Sequence, residues 1–204
     1  ADSINQQAYR VVDKLGDYLR KVGYRGIFGL DFILEEKTGR LFLIECNPRW
    51  LASLPVLTQA QVVNNEPPIL AFHLMEFLGI DYKIDLEKIN CQMRVNRKGA
   101  HLLLHNLTDQ ILKVGLLVKP GIYRYQNSRL DYQRPDYRLA DLKTEDEFLV
   151  VDKLKPVGAL YAPHKIVARI ITLRGILNKK ANLTPWAKEV VKAIYHSFGF
   201  QAVV

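Results

Sequence analysis

Two nearby stretches decide the fold, GIFGLDFI at Gly26–Ile33 and LIECNPR at Leu43–Arg49. They belong to two short apolar runs, residues 27–34 and 41–46, separated by the polar segment 35–40 (EEKTGR). Apolar runs of this length around a glycine-containing loop predict an antiparallel β-hairpin. With Lys37-Thr38-Gly39 as a three-residue loop, Asp31 is expected directly opposite Glu45.

The hairpin is expected to gather oxygen-bearing side chains on one face. Residues two apart in a strand share a face, so Glu45 and Asn47 point the same way, and Asp31 joins them across the strands. Two carboxylates and an amide oxygen suit Mg²⁺, which prefers oxygen ligands and keeps waters and substrate phosphates in its shell. Arg49 follows as a fork-shaped donor for a phosphate. Alone, Asp31 would be read as facing water; the combination favours a metal site.

The flanking segments predict helices. Residues 3–22 have apolar side chains at helical spacing, and Ser3 with Gln6 fits a capping box at the start. Residues 55–65 and 68–79 are also predicted to be helical, with prolines at the start of the second and glycine at its end.

Charge and composition change near residue 90, which predicts two domains, 1–90 and 91–204. The first has 10 Lys/Arg against 12 Asp/Glu, and the second has 19 against 9. Such asymmetry indicates either an anionic partner or simply a soluble basic surface, and the sequence leaves both open.

The second domain is predicted to be β-rich and to end in a helix. Residues 165–177 fit a helix or a strand, because apolar residues recur at helical spacing but Ile and Val abound. Thr184 and Pro185 predict the start of the last helix, and Gly199 its end. The fold class is therefore α+β. Strands are predicted at 91–96, 101–107, 110–118, 122–125 and 148–151.

The segments Gly26-x-x-Gly-x-Asp-Phe-Ile and Ile44-Glu-x-Asn-Pro-Arg49 resemble the C-terminal part of ATP-grasp enzymes, in the carbamoyl-phosphate synthetase-like and carboxylate–amine ligase branch. The resemblance covers about residues 3–80. It implies that Asp31, Glu45 and Asn47 bind Mg²⁺, with Mn²⁺ as an alternative ion, and that these residues and Arg49 contact ATP. Arg49 is further implied as the catalytic residue that contacts the phosphate or acyl-phosphate.

The resemblance also implies the function. It is that of an ATP-dependent ligase that activates a small carboxylate as an acyl-phosphate, which an amine then attacks. In the family, the phosphate-contacting lysines, the glycine-rich loop and the adenine-contacting linker precede this region. The chain is therefore expected to be part of a longer enzyme and inactive alone. The alternative is a non-catalytic module with a degenerate ATP-grasp domain that senses nucleotide or binds an anionic polymer.

Other classes are less favoured by the residues. No run of about 18 apolar residues or signal peptide is present, and two cysteines make no disulfide framework, so a cytoplasmic protein without a membrane partner is predicted. The Tyr/Arg mixture at 123–138 lacks an RNA-binding signature, so nucleic acid is not the favoured partner. His101 and His105 lie in a predicted strand without zinc spacing. Trp50 fits a substrate pocket or simple packing, and the oligomeric state is not predicted.

Overall fold

The computed structural model describes residues 3–93 and 98–203, and the chain divides into two compact units, residues 1–95 and 96–204. Both contain helices and antiparallel strands, so the α+β prediction is confirmed. In its described residues, the first unit consists of a helix, a β-hairpin and three further helices. The described part of the second unit contains two antiparallel sheets and a long helix near the C-terminus.

Helix α1, Ile4–Lys21, begins at the predicted capping box. The Ser3 backbone N–H donates to the Gln6 side chain (2.9 Å), and the Gln6 N–H donates to the Ser3 hydroxyl (3.2 Å). Gln7 then ties the helix to the hairpin. Its amide donates to the Gly39 carbonyl (2.8 Å) and accepts from the Leu41 N–H (3.0 Å). These two bonds fix the helix against the tip of the hairpin.

The hairpin is formed by β1, Gly29–Glu35, and β2, Arg40–Asn47, and Asp31 pairs with Glu45 as predicted. The loop prediction was wrong, because Glu35 pairs with Arg40 and residues 36–39 form a longer loop. Gly39, with a φ of 67°, closes this turn by donating its N–H to the Glu35 carbonyl (2.9 Å). A β-bulge at Ile44, between the Asp31–Glu45 and Phe32–Leu43 pairs, offsets the longer loop.

Three helices follow the hairpin. Helix α2, Leu54–Val63, and helix α3, Ile69–Leu78, confirm the two predicted helices, and Gly79 ends α3 in the left-handed conformation. Helix α4, Leu86–Met93, corrects the strand predicted at 91–96. The Asp85 side chain accepts the Lys88 N–H (3.0 Å), an N-terminal cap that favours helix here. The rest of the predicted strand lies outside the described residues.

The larger sheet of the second unit is entirely antiparallel, in the order β3-β9-β7-β5-β6. The ambiguous segment 165–177 is a strand over Ile166–Thr172, because its Ile and Val side chains fill a buried central position in the sheet. Edge strand β6 was not predicted, since its residues are mostly polar. The strands are β3 Ala100–His105, β5 Gly121–Gln126, β6 Arg129–Arg134, β7 Glu147–Val151 and β9 Ile166–Thr172.

A smaller sheet has the order β10-β4-β8, formed by Gln201–Val203, Ile111–Lys113 and Leu160–Tyr161. The strand predicted at 110–118 is therefore too long. Beyond Lys113 the chain turns toward the end of the last helix, where the N–H groups of Gly115 and Leu116 both donate to the Phe198 carbonyl. A short 3-10 helix, Leu139–Asp141, connects β6 and β7.

Helix α5, Pro185–Ser197, supplies one side of the second unit's core. As predicted, Thr184 is its N-cap, with the hydroxyl accepting the Ala187 N–H (3.3 Å). Val190, Ile194 and Phe198 belong to the same buried cluster as Phe148 and Val167 of the sheet. Packing of one helical stripe on one sheet face thus makes a continuous core.

Within residues 3–93 and 98–203, no helix has the length and apolar character needed to cross a membrane.

Candidate functional site

The two carboxylates of the candidate site meet across the hairpin. Asp31 and Glu45 are direct cross-strand partners, and directly opposed residues of an antiparallel pair share a face. Both side chains are exposed to solvent. Like charges placed opposite each other destabilise a sheet, so this pair costs stability unless a cation lies between them.

Asn47 connects the rest of the predicted set. Its amide nitrogen donates to the Asp31 carboxylate (3.1 Å), and its amide oxygen accepts from the Arg49 guanidinium (2.9 Å). The amide orientation follows from its partners, because a guanidinium only donates and a carboxylate only accepts. Asn47 is 7% exposed, the most buried of the four. The structure thus brings Asp31, Asn47 and Arg49 into one hydrogen-bonded row.

Arg49 is held at the start of the loop that leaves the sheet. Its N–H donates to the Asn47 carbonyl (2.8 Å), and the guanidinium also reaches the Trp50 carbonyl (3.3 Å). Trp50 itself packs edge-on against His73, with ring centroids 6.1 Å apart, while remaining substantially exposed. The turn therefore brings the Arg49 head group back to the Asn47 side chain.

Packing beneath the hairpin depends on a close approach at Gly29, the partner of Asn47. A Cβ placed at Gly29 would lie 2.1 Å from the Leu51 side chain. Any larger residue would therefore displace the Leu51 side chain from β1. Gly29 lets residues 49–51 fold back onto β1 beside the acidic pair.

His73 of α3 is a supporting residue that the sequence did not indicate. Its Nδ1 accepts the Ile27 N–H (3.1 Å), which fixes the segment leading into β1. Gly26, at a φ of 108°, allows this contact, because a Cβ there would lie 2.5 Å from the His73 ring. Gly26 and His73 are 47 positions apart, so no periodic pattern in the sequence indicates that they are in contact.

The donor set suits Mg²⁺ better than a transition metal. Among residues 3–93 and 98–203, no group of three or more His, Cys, Asp or Glu side chains is placed to hold an ion. Two carboxylates with waters and phosphates completing the shell match the usual Mg²⁺ arrangement. The Asn47 oxygen accepts a bond from Arg49, so an ion would share this oxygen with Arg49 or take its place. Cys46 pairs with Leu30 on the opposite face of the hairpin, away from the donors.

A cavity of about 770 Å³ lies elsewhere in this unit, and none of the four predicted site residues lines it. At its edge Tyr82 donates a hydrogen bond to Glu76 (2.7 Å), and this bond together with Arg25 holds the pKa of Glu76 below its usual value. The cavity is bounded by the end of α1, residues 23–28 and α3. The predicted site is an open face, which suits a role as one wall of a larger site.

Comparison of the chain with protein-family models, with curated proteins and with solved structures gave no match.

Proposed function

We propose that the hairpin forms the metal-binding wall of the ATP site in an ATP-dependent ligase of the ATP-grasp type. The observation that carries the proposal is the opposed pair Asp31–Glu45 with Asn47 and Arg49 bonded in a row beside it. The substrates would be ATP, a small carboxylate and an amine. The carboxylate would be activated as an acyl-phosphate.

Each residue has a physical task in this proposal. Asp31 and Glu45 would hold Mg²⁺, or Mn²⁺ in its place, through charge and oxygen ligation. The bound ion would supply charge neutralisation for the transferring phosphoryl group. Arg49 would donate to a phosphate oxygen, and the Asn47 side chain would orient both the Asp31 carboxylate and the Arg49 guanidinium. Asn47 would contribute its own oxygen to the ion once Arg49 turned to the phosphate.

The ion-binding step can be tested on this chain alone. Mn²⁺ added in small amounts should broaden the NMR signals of Asp31, Glu45 and Asn47 before those of other acidic residues. Glu45→Gln should remove the effect, because the variant keeps the shape but loses one negative charge. The matched control is Glu36→Gln, an exposed glutamate in the hairpin loop. Equal broadening in both variants would remove the basis for a metal site here.

The catalytic step needs the complete ATP site, so it is tested on the enzyme that includes the proposed nucleotide-binding lobe. Glu45→Gln should lower steady-state ADP release on the order of a hundredfold, comparable to losing one preorganised electrostatic contact. Nucleotide affinity should change much less, and Glu36→Gln should behave as wild type. A folded Glu45→Gln enzyme with normal turnover would exclude Glu45 as a metal ligand.

A further inference from the structure

A second cavity, of about 720 Å³, lies in the other unit at one end of its sheets. Its size falls within the usual range for small-molecule sites. Apolar residues of β4, β8 and β9 form part of the lining, and basic residues form the rest. Among the described residues, no carboxylate side chain lines it. The basic lining residues are Lys153, Lys155, Lys165, His105 and His164.

The lysine charges in this cavity are not neutralised by acidic neighbours. Among the described residues, no carboxylate forms an ion pair with Lys153, Lys155 or Lys165. Asp152, the chain neighbour of Lys153, accepts instead from Arg169 (2.7 Å). Asp109 lies 3.9 Å from the His164 ring and is fully exposed to solvent. The cavity is therefore a region of positive potential that attracts anions.

One lysine is already positioned. The Lys155 ammonium donates to the Leu160 carbonyl (2.6 Å) and lies 4.6 Å from the centre of the Tyr161 ring. Both contacts restrict a side chain that would otherwise be mobile. Preorganised donors lose less entropy on binding a ligand than free ones do.

Left-handed backbone conformations occur at two places in the wall. Lys153 and His164 have φ values of 52° and 62°, a strained region for residues other than glycine. The buried Tyr161 hydroxyl holds the first by donating to the Lys153 carbonyl (2.6 Å). The second is held by the His164 N–H, which donates to the Asn106 carbonyl (2.9 Å). Strain that the surroundings enforce in this way is typical of ligand-binding sites.

The buried Asn106 side chain connects the segments that form the wall of the cavity. Asn106 is fully buried, and its side chain donates to the Gln110 carbonyl (2.8 Å) and the Tyr161 carbonyl (3.2 Å) while accepting from the Thr108 N–H (3.0 Å). A fully satisfied buried polar group of this kind rigidifies its surroundings. The wall of the cavity is therefore fixed from beneath before any ligand arrives.

We propose that this cavity binds a small organic phosphate. The phosphate would lie among Lys153, Lys155 and Lys165, since lysine binds phosphate as a point charge, and the organic part would rest on the apolar lining. The cavity's size and partly apolar lining favour a small molecule over a long polyanion. The inference does not depend on the ligase proposal, because every residue that carries it belongs to residues 98–203.

The test uses pyrophosphate as the probe, titrated by calorimetry at about 50 mM salt, where screening is moderate. Lys153→Gln combined with Lys165→Gln should weaken binding about tenfold, the effect of losing one or two exposed charge-assisted contacts. The matched control combines Lys179→Gln with Lys180→Gln, two exposed lysines that do not line the cavity. The control should change affinity less than about twofold.

A single variant separates binding from folding. Lys165→Gln leaves the left-handed turn at Lys153 untouched, and it should weaken binding in the same direction with an unchanged melting temperature. Absence of pyrophosphate binding at millimolar concentration would overturn the proposal. An equal loss of pyrophosphate affinity in the two double variants would also overturn it. So would a single-stranded oligonucleotide that binds more tightly than pyrophosphate and is weakened by both double variants. Either result would mean that the general basic surface, and not this cavity, binds the anion.

Discussion

The two units of this chain differ in the interactions that stabilise each of them. Within residues 3–93, the buried apolar side chains are Leu54, Val56 and Ala60, all on α2. The second unit has a continuous core in which Phe148, Val167, Ile194 and Phe198 are completely buried. In the first unit, by contrast, Phe77 is 68% exposed.

In the first unit, side-chain hydrogen bonds stabilise the fold in place of an extensive apolar core. Gln7 holds the hairpin tip, His73 holds the entry to β1, and Asn47 links Asp31 to Arg49. A single such hydrogen bond contributes about 0.5–1.5 kcal/mol, whereas burying one large apolar side chain contributes about 1.5–3 kcal/mol. The free energy of opening should therefore be lower in the first unit than in the second. A candidate site on a lightly held hairpin can adjust when a ligand binds.

The largest expected effect tests this comparison with a pair of phenylalanines. Phe198→Ala should lower the free energy of unfolding of the second unit by about 3–5 kcal/mol, because it leaves a cavity in a close-packed core. Phe77→Ala, at an exposed position on α3, should change stability by less than about 0.5 kcal/mol. Urea unfolding, with hydrogen exchange to assign the unit, measures both. Similar losses in the two variants would refute the contrast between the units.

The second largest effect is expected at acidic pH, which should lower the stability of the second unit. Glu147 has a 2% exposed side chain and is bonded to Arg134 at 2.9 and 3.0 Å. The Arg134 bonds, aided by the Lys143 N–H, lower the pKa of Glu147 from 4.5 to about 2. A depressed carboxyl pKa stabilises the fold above the unfolded pKa, and the contribution is lost as pH falls through the folded value. The second unit should thus lose about 3 kcal/mol between pH 5 and pH 2 from this group.

The measurement is urea unfolding of wild type and Glu147→Gln across this pH range. The variant should be less stable at neutral pH and should have a flatter acid dependence. Exposed Glu189→Gln provides the control and should keep the wild-type pH slope. An unchanged slope in Glu147→Gln would show that other carboxyl groups cause the acid sensitivity.

The smallest expected effect compares the same substitution in the two units. Thr184→Ala removes the cap of α5 and should cost the second unit about 1 kcal/mol. Ser3→Ala removes the corresponding cap of α1 and should mainly fray its first turn, since α1 has no buried residue. Hydrogen exchange should show the Thr184 effect throughout the sheet and the Ser3 effect only locally. A Ser3→Ala effect that spreads over the whole hairpin would mean that the first unit is more cooperative than its burial indicates.

The parts of the fold that the sequence predicted correctly have local chemical causes. Ser3, Thr184 and Pro185 mark helix starts, because a hydroxyl cap and a preset φ act within a few residues. The hairpin followed from two apolar runs and a glycine. The position of Asp31 opposite Glu45 then followed from the register of the two strands, although the assumed loop was one residue too short.

One error had a local cause that the sequence did carry, because the strand predicted at 91–96 overlooked the Asp85 cap, which places Cys91–Met93 in α4. Other features, which the sequence left open or missed, depend on distant partners. Ile166–Thr172 has both helical spacing and β-branched residues, and burial on both faces between β3 and β7 decides the outcome. Likewise, the Asn106 hub and the His73 contact join segments far apart in sequence. No local pattern reports such contacts.

The bulge at Ile44 has a consequence for how this hairpin can change during evolution. Two residues of β2, Ile44 and Glu45, occupy the space opposite Asp31, so removing Ile44 would leave every cross-strand pair intact. A deletion elsewhere in β2 would be absorbed by the bulge only if the residues between the deletion and Ile44 moved by one position, which turns those side chains to the other face. Ile44 is thus the position where a homologue can be one residue shorter with every other residue of the hairpin in place. An alignment that places that gap after Glu45 would match the wrong residue to it.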